Sequence, residues 1–485
     1  MASKLFTKSA PFLAFLGLAL TGCQPDLEQD IKPSSGTADF SRYISVGNSL
    51  TAGYADGGLY LEGQLNSYPN LLAQQFRSVG GGEFVQPLFT EAQRNGTGYL
   101  RLAGFTATGS PITAPVTTEL ALRAGATAAR PLYTKFTEPI NNLGVPGIRM
   151  SDILTAGYGS VQGNPLFERI TPDAQPTQTY LARVAASNPT FFSAWMGNND
   201  VLGYATSGGA STAPTSSITS TATFTANNNQ LIDALTANGA KGIVATIPDV
   251  TNIPFFTTVG PSFKATLLTP QPGLPNGVPG LVIQTGSAPG GATSTNRRQI
   301  LTADIRDASG VGRQLFTLTS SPFLGLLNQR TGRAWRYIYG QSGQPAAGFP
   351  IFLTTYGIDT LQTFGTSAGN PIPSAFVLDD VEQTAVRTAT TAFNNAMIAK
   401  ATAKNLAVFD VNGFFARVAS GGIVTNGVNN TAQFITGNLF SLDGVHLTPR
   451  GYSIVANEMI RIINQQYGAS VPTLNANDYP GVKFP

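Results

Sequence analysis

Cleaving an acyl bond with a serine requires a hydroxyl, a base to take its proton, an acid to orient that base, and donors for the developing oxyanion. The sequence has a single histidine, so any imidazole mechanism must run through His446. Asp443 precedes it in Asp443-Gly444-Val445-His446, a spacing that lets one loop present both side chains together. Ser49 lies in the turn Gly47-Asn48-Ser49-Leu50, directly after the β-type run Tyr43-Ile44-Ser45-Val46. In that arrangement His446 takes the Ser49 proton, and Asp443 fixes the tautomer and stabilises the charged imidazole. A Gly-Asn-Ser-Leu turn alone is a common loop motif, and a solitary histidine is more often structural. The weight lies in their joint occurrence.

These residues need a scaffold. Short apolar runs at Tyr43–Val46, Thr190–Met196, Gly242–Ile247 and Leu406–Phe409 read as buried strands. Helical spacing appears after Ser67, which is expected as an N-cap, and again from Phe224 to Leu235, from Asp379 to Lys404, and from Tyr452 to Ile463. Phe84-Val85 reads as the start of a further strand, Pro139–Gly147 as a strand end entering a loop, and Ser151 as the cap of a short helix. Strands alternating with helices predict an α/β fold with a mainly parallel sheet covered on both faces. A strand that ends in a polar turn is where such sheets place their chemistry. Two stretches, near 88–135 and 255–375, lack this rhythm and read as insertions. The second is too long for a bare loop and is expected to build a small β structure of its own.

Composition narrows the function. Charged residues make up 11% of the 485 residues, against a usual share of roughly a quarter. The formal charge of +3 is spread without basic runs, so nucleic acid is not an expected partner. One cysteine and one histidine exclude an intrachain disulfide and a multi-ligand zinc site. No metal or organic cofactor is expected.

With these residues in view, the chain resembles the SGNH hydrolases, also called GDSL esterases and lipases. Gly47-Asn48-Ser49-Leu50 is similar to the first sequence block of that family. Gly147 in Gly144-Val145-Pro146-Gly147 is similar to the second, Gly197-Asn198-Asn199-Asp200 to the third, and Asp443-x-x-His446 to the fifth. The resemblance covers about half of the chain. It implies a flavodoxin-like three-layer sandwich and a shallow, open site. It also implies Ser49, Asp443 and His446 as the triad, with an oxyanion hole formed by the Ser49 and Gly147 backbone N–H groups and the Asn199 amide. Asn198 and Asp200 are expected to brace the loop. The family usually carries Asp where this chain has Asn48. That departure bears on the support of Ser49 and leaves the triad untouched.

The N-terminus reads as a targeting segment. Lys4 and Lys8 precede an apolar core from Ala10 to Leu20, too short to span a bilayer, and Leu20-Thr21-Gly22-Cys23 resembles a bacterial lipobox. The expected organisation is a signal peptide at 1–22, lipidation at Cys23, a flexible tether at 23–38, one hydrolase domain at 39–468 and a C-terminal tail at 469–485. The expected location is the bacterial cell envelope, most readily the outer membrane, with the membrane reached through the lipid anchor. Gly365-Thr366-Ser367-Ala368-Gly369 fits the Gly-x-Ser-x-Gly elbow, but Asn370-Pro371-Ile372-Pro373 denies it the required helix. The reading is an esterase or lipase acting on a small-molecule, glycan or lipid ester. A second reading stays open: a surface lipoprotein that only binds glycan or lipid on a hydrolase scaffold, favoured by Asn48.

Overall fold

The computed structural model describes residues 32–485 apart from residues 108, 212, 271–274 and 287–295. Cys23 and the expected signal segment lie outside the described residues. Five short strands build the central sheet: β1 Tyr43–Gly47, β2 Asn142–Gly144, β3 Phe191–Trp195, β4 Lys241–Ala245 and β5 Ala407–Phe409. All pair in parallel, in the order β2-β1-β3-β4-β5. Every residue of β1, β2 and β3 is buried. That accounts for their reading as continuous runs and not as alternating ones.

The strand order dictates where the helices go. The connection from β1 to β2 travels one way along the sheet, and the later ones travel the other way. Right-handed crossovers then put the first helix on one face and the next ones on the opposite face. The seven helices that matter here are α1 Ser49–Ala52, α2 Tyr68–Phe76, α3 Tyr180–Ser187, α4 Asn199–Thr206, α5 Thr221–Thr236, α6 Asp380–Ala403 and α7 Pro449–Tyr467. Helix α2 packs on α7, while α5 packs on both α3 and α6. Alternate residues of β3 face the first pair: Phe191 meets Phe76 and Tyr467 edge-on, and Trp195 meets Tyr68. Across the sheet, Phe224 of α5 stacks on Phe393 of α6 at 4.0 Å. Each such ring contributes about 1.5–3 kcal/mol by leaving water.

Helix ends follow local chemistry. Asp379 caps α6 by accepting from the N–H groups of Val381 and Glu382, and the Glu382 carboxylate accepts from the Asp379 N–H in return. Thr448 caps α7 through the Gly451 N–H, with Pro449 in the first turn. Three local expectations fail. Ser67 occupies the N-cap position of α2, but its hydroxyl bonds Gln86 and leaves the helix N–H groups alone. Ser151 lies inside a 3-10 turn, Met150–Asp152, whose cap is Arg149 with Asp152. Phe84-Val85 forms no strand, because the Asn141 side chain takes the Val85 N–H that a ladder would need.

The first insertion contributes a hairpin, Tyr99–Phe105 with Pro111–Val116. It is tied to the domain through Glu168, which pairs with Arg123 at 2.6 Å and Lys135 at 2.8 Å. The second insertion is more helical than expected. Beside the hairpin Gly280–Gln284 with Arg297–Leu301 it holds helices at Val259–Leu268, Arg333–Gly340 and Phe349–Thr355. Its aromatics form their own cluster around Trp335, Tyr339 and Phe349. The first and last described segments are bound to the domain: Thr37 donates to the Tyr467 carbonyl, Val471 and Ala476 are buried, and Lys483 pairs with Glu62 at 2.6 Å.

Candidate active site

The sheet brings the expected residues to one edge. Ser49 lies two residues beyond β1, Gly147 three beyond β2, and Asn199 four beyond β3, with Gly47 in register with both Gly144 and Trp195. These are the carboxyl ends of adjacent strands, at the point where the strand order reverses. Open α/β sheets place ligands in that crevice.

The Ser49 hydroxyl is 2.8 Å from His446 Nε2, and His446 Nδ1 is 2.8 Å from Asp443 Oδ2. With Nδ1–H donating to Asp443, Nε2 is left as the acceptor for the Ser49 proton. The Asp443 carboxylate is saturated. Oδ1 accepts from the backbone N–H groups of Val445 and His446 at 2.8 Å each and from the Ser441 hydroxyl at 3.2 Å. Oδ2 also accepts from the Gly57 N–H at 2.8 Å. Burial works to raise the Asp443 carboxyl. The His446 charge and these hydrogen bonds outweigh it and hold the group well below the usual carboxylate range.

The loop carrying Asp443 and His446 has little freedom. Its ends are joined by the Ser441 N–H donating to the His446 carbonyl at 2.8 Å. Gly444 adopts φ +70°, and a side chain there would meet the Phe255 backbone nitrogen at 2.9 Å. Only glycine satisfies both constraints. Behind the imidazole, the Tyr54 ring lies 4.6 Å from that of His446, and the Tyr452 hydroxyl of α7 holds the Tyr54 carbonyl at 2.7 Å.

One support was not singled out from the sequence. Ala55-Asp56-Gly57-Gly58 is a two-residue turn closed by paired backbone bonds between Ala55 and Gly58, with φ +53° at Asp56 and +76° at Gly57. Positive φ at both central residues is the signature of an Asp-Gly turn, so the dipeptide itself was the available signal. The turn grips the acid loop. Gly57 donates to Asp443, the Asp56 N–H donates to Ser441 Oγ, and Asp56 Oδ1 accepts from the Leu442 N–H. Burial pushes the Asp56 carboxyl up to about 6, although the Leu442 and Tyr60 hydrogen bonds pull the other way.

On the opposite side, the Asn199 amide donates to the Ile148 carbonyl at 2.9 Å, which ties α4 to the residue after Gly147. One amide hydrogen is used there, and the second has no acceptor among the described residues. The Gly147 N–H has no partner among the described residues, and the Ser49 N–H opens α1, where no intrahelical acceptor exists. Asp200 braces this loop by accepting from the Met150 N–H at 2.7 Å, the Ser151 N–H at 3.3 Å and the Thr219 hydroxyl at 2.6 Å. Burial pushes its carboxyl up to about 6 against those bonds. Asn198 makes no side-chain cap, and its Oδ1 is buried without a partner among the described residues. Asn48 caps α1 through Oδ1 to the Leu50 N–H at 3.1 Å, while its Nδ2 is buried and likewise unpartnered.

Ser49, Asn199 and His446 line one narrow pocket of about 50 Å3, with Asn48, Trp195 and Asn198 at its polar edge and Leu202, Ile253, Phe440 and Val445 on its apolar walls. Ser367 stays apart from it, in a turn where its hydroxyl accepts from the Gly369 N–H with neither strand before nor helix after. Among the described residues there is no acidic, histidine or cysteine cluster able to hold a metal, and no helix is long and apolar enough to cross a membrane. No family model, curated protein or solved structure matches this chain.

Proposed function

We propose that the protein is a serine ester hydrolase of the SGNH type, acting through an acyl-serine intermediate. The observation that carries the reading is the continuous relay from Asp443 through His446 to Ser49, with both contacts at 2.8 Å. Ser49 Oγ attacks the ester carbonyl while His446 Nε2 takes its proton. The Ser49 and Gly147 N–H groups and the free Asn199 amide hydrogen receive the oxyanion, each worth about 3–4 kcal/mol in a site of this kind. His446 returns the proton to the leaving alcohol. It then activates a water, whose attack releases the acid and restores Ser49.

The strand order 2-1-3-4-5 supports the flavodoxin-like form of the fold that the resemblance implies. The family departure at Asn48 is compatible with activity, because its Oδ1 supplies the cap an aspartate would supply. The same reading takes the mature chain to be anchored in the cell envelope through a lipidated Cys23. The test is hydrolysis of p-nitrophenyl acetate by the purified protein beside Ser49→Ala. Turnover that disappears in the variant supports the reading, and equal rates sink it.

A further inference from the structure

The narrow pocket at Ser49 shares part of its lining with a neighbouring space. Asn252 and Ala432 line it and also line a second, much larger cavity of about 880 Å3. This is near the top of the roughly 300–1,000 Å3 range of ligand sites. The two spaces differ in chemistry. The first, about 50 Å3, has mainly apolar walls and room for only a few water-sized groups. The second mixes hydroxyls, amides and glycines with about as much apolar wall, including Phe105, Val418 and Phe434, and among the described residues Arg306 and Asp307 are its only charged side chains. An ester has two halves, and each space suits one of them.

The wall between residues 431 and 436 bears on which half goes where. Ile435, a β-branched residue, sits at φ +65°, and the Thr436 N–H bonds the Phe434 carbonyl at 2.8 Å. A positive φ closed by a bond spanning two residues is the rare, strained form of the γ-turn. A β-branched side chain makes it more costly still. Strain of this sort persists where surrounding structure enforces it, and it clusters at ligand sites. Here the Ile435 side chain is anchored between Leu102 and Leu442. Either side of that anchor, Gln433 and Thr436 are exposed on the large cavity, and their side chains hydrogen-bond to no group among the described residues.

Resting on the ester-hydrolase reading above, we infer that the substrate is a short-chain acyl ester of a large polyhydroxylated alcohol, a sugar oligomer in chemical class. The small acyl group occupies the pocket at Ser49. The alcohol lies along the cavity and is read by Gln433 and Thr436. Water supplies the oxygen of the released acid, and the alcohol leaves with the proton from His446. The apolar pocket at Ser49 is too small for a fatty chain, and the large cavity presents to it as much polar as apolar wall.

The experiment measures kcat/KM of the purified protein on p-nitrophenyl acetate, p-nitrophenyl octanoate and acetylated xylo-oligosaccharides of increasing length. It is run in wild type, in Ser49→Ala and in the double variant Gln433→Ala with Thr436→Ala. The expected result is a preference for acetyl over octanoyl of about tenfold or more, with KM falling as the oligosaccharide lengthens. The double variant is expected to lose about tenfold more on the oligosaccharide than on p-nitrophenyl acetate. Octanoate turned over as fast as acetate, or equal losses on both substrates in the double variant, overturns this inference while Ser49-dependent turnover leaves the ester-hydrolase reading standing. Absence of any Ser49-dependent turnover overturns both.

Discussion

The Gly57 N–H lies 2.8 Å from Asp443 Oδ2, although the two residues are 386 positions apart. A turn just beyond the nucleophile's helix therefore holds the acid that orients the base. The same turn returns Asp56 Oδ1 to the Leu442 N–H, so the first and last parts of the domain are locked where Ser49 and His446 meet. Asp56 touches no reacting atom and acts as a positioning residue. Asp56→Ala is expected to lower kcat about a hundredfold, the scale of a misplacement near 1 Å, with KM little changed. Asp56→Asn keeps an acceptor for Leu442 and is expected to recover most of that loss. A steady-state comparison of both variants, with thermal unfolding alongside, separates displacement from global destabilisation.

Asn199→Ala removes the side-chain donor proposed for the oxyanion. The expected loss is about 10²–10³ in kcat with KM nearly constant, since the interaction is made only in the transition state. A loss confined to KM contradicts the assignment.

Asp200 satisfies the buried N–H of Met150, the N–H of Ser151 and the Thr219 hydroxyl. Asp200→Ala leaves these donors unpaired at about 1–3 kcal/mol for each that stays buried, so a drop in stability of at least about 2 kcal/mol is expected. Asp200→Asn is expected to cost less. Urea unfolding monitored by tryptophan fluorescence measures both.

Glu382 makes a prediction about pH. Burial, with Asp379 beside it, pushes its carboxyl from 4.5 up to about 8. The folded state therefore holds this proton more tightly than the unfolded chain does. Its contribution to stability is full below about 4.5 and is lost as pH rises through about 8. Asp443 has the opposite sign: its carboxyl is held low, and the stability it gives is lost on acidification. Glu382→Gln is expected to flatten the alkaline side of the stability profile. Unfolding free energies between pH 5 and 9 check this, and a wild-type slope unchanged in the variant contradicts it.

The parts of the fold written in local chemistry were legible. The amphipathic spacing from Asp379 to Lys404, the helical spacing from Tyr452 to Ile463 and the apolar runs of β1 and β3 each marked their element, whereas the Asp379–Glu382 cap and the Pro449 start of α7 were not read. The spacing of Asp443 and His446 was legible because one loop carries both. What stayed hidden depends on partners distant in sequence. Ser67 has the right type and place for a cap, yet the buried Gln86 competes for its hydroxyl. Val85 ends in a loop because Asn141 reaches it first. The Asp56-Gly57 dipeptide carries a turn signal that was passed over, and its grip on Asp443 exists only once the first and last parts of the domain meet. The helices of the second insertion were obscured by its Pro and Gly content, since they are held by packing, Val259–Leu268 against Ile305 and Phe316 and the other two around Trp335 and Phe349, and not by an uninterrupted period.

The central claim is that the Asp443–His446 relay makes Ser49 the nucleophile. A fluorophosphonate probe tests it directly, because phosphonylation needs the activated hydroxyl and leaves a mass tag at its position. Peptide mass spectrometry of the labelled protein is expected to find the tag on Ser49. Labelling is expected to fall to background in Ser49→Ala, and by about four orders of magnitude in rate in His446→Ala. A tag on Ser367, or labelling of Ser49 at an equal rate without His446, contradicts the account.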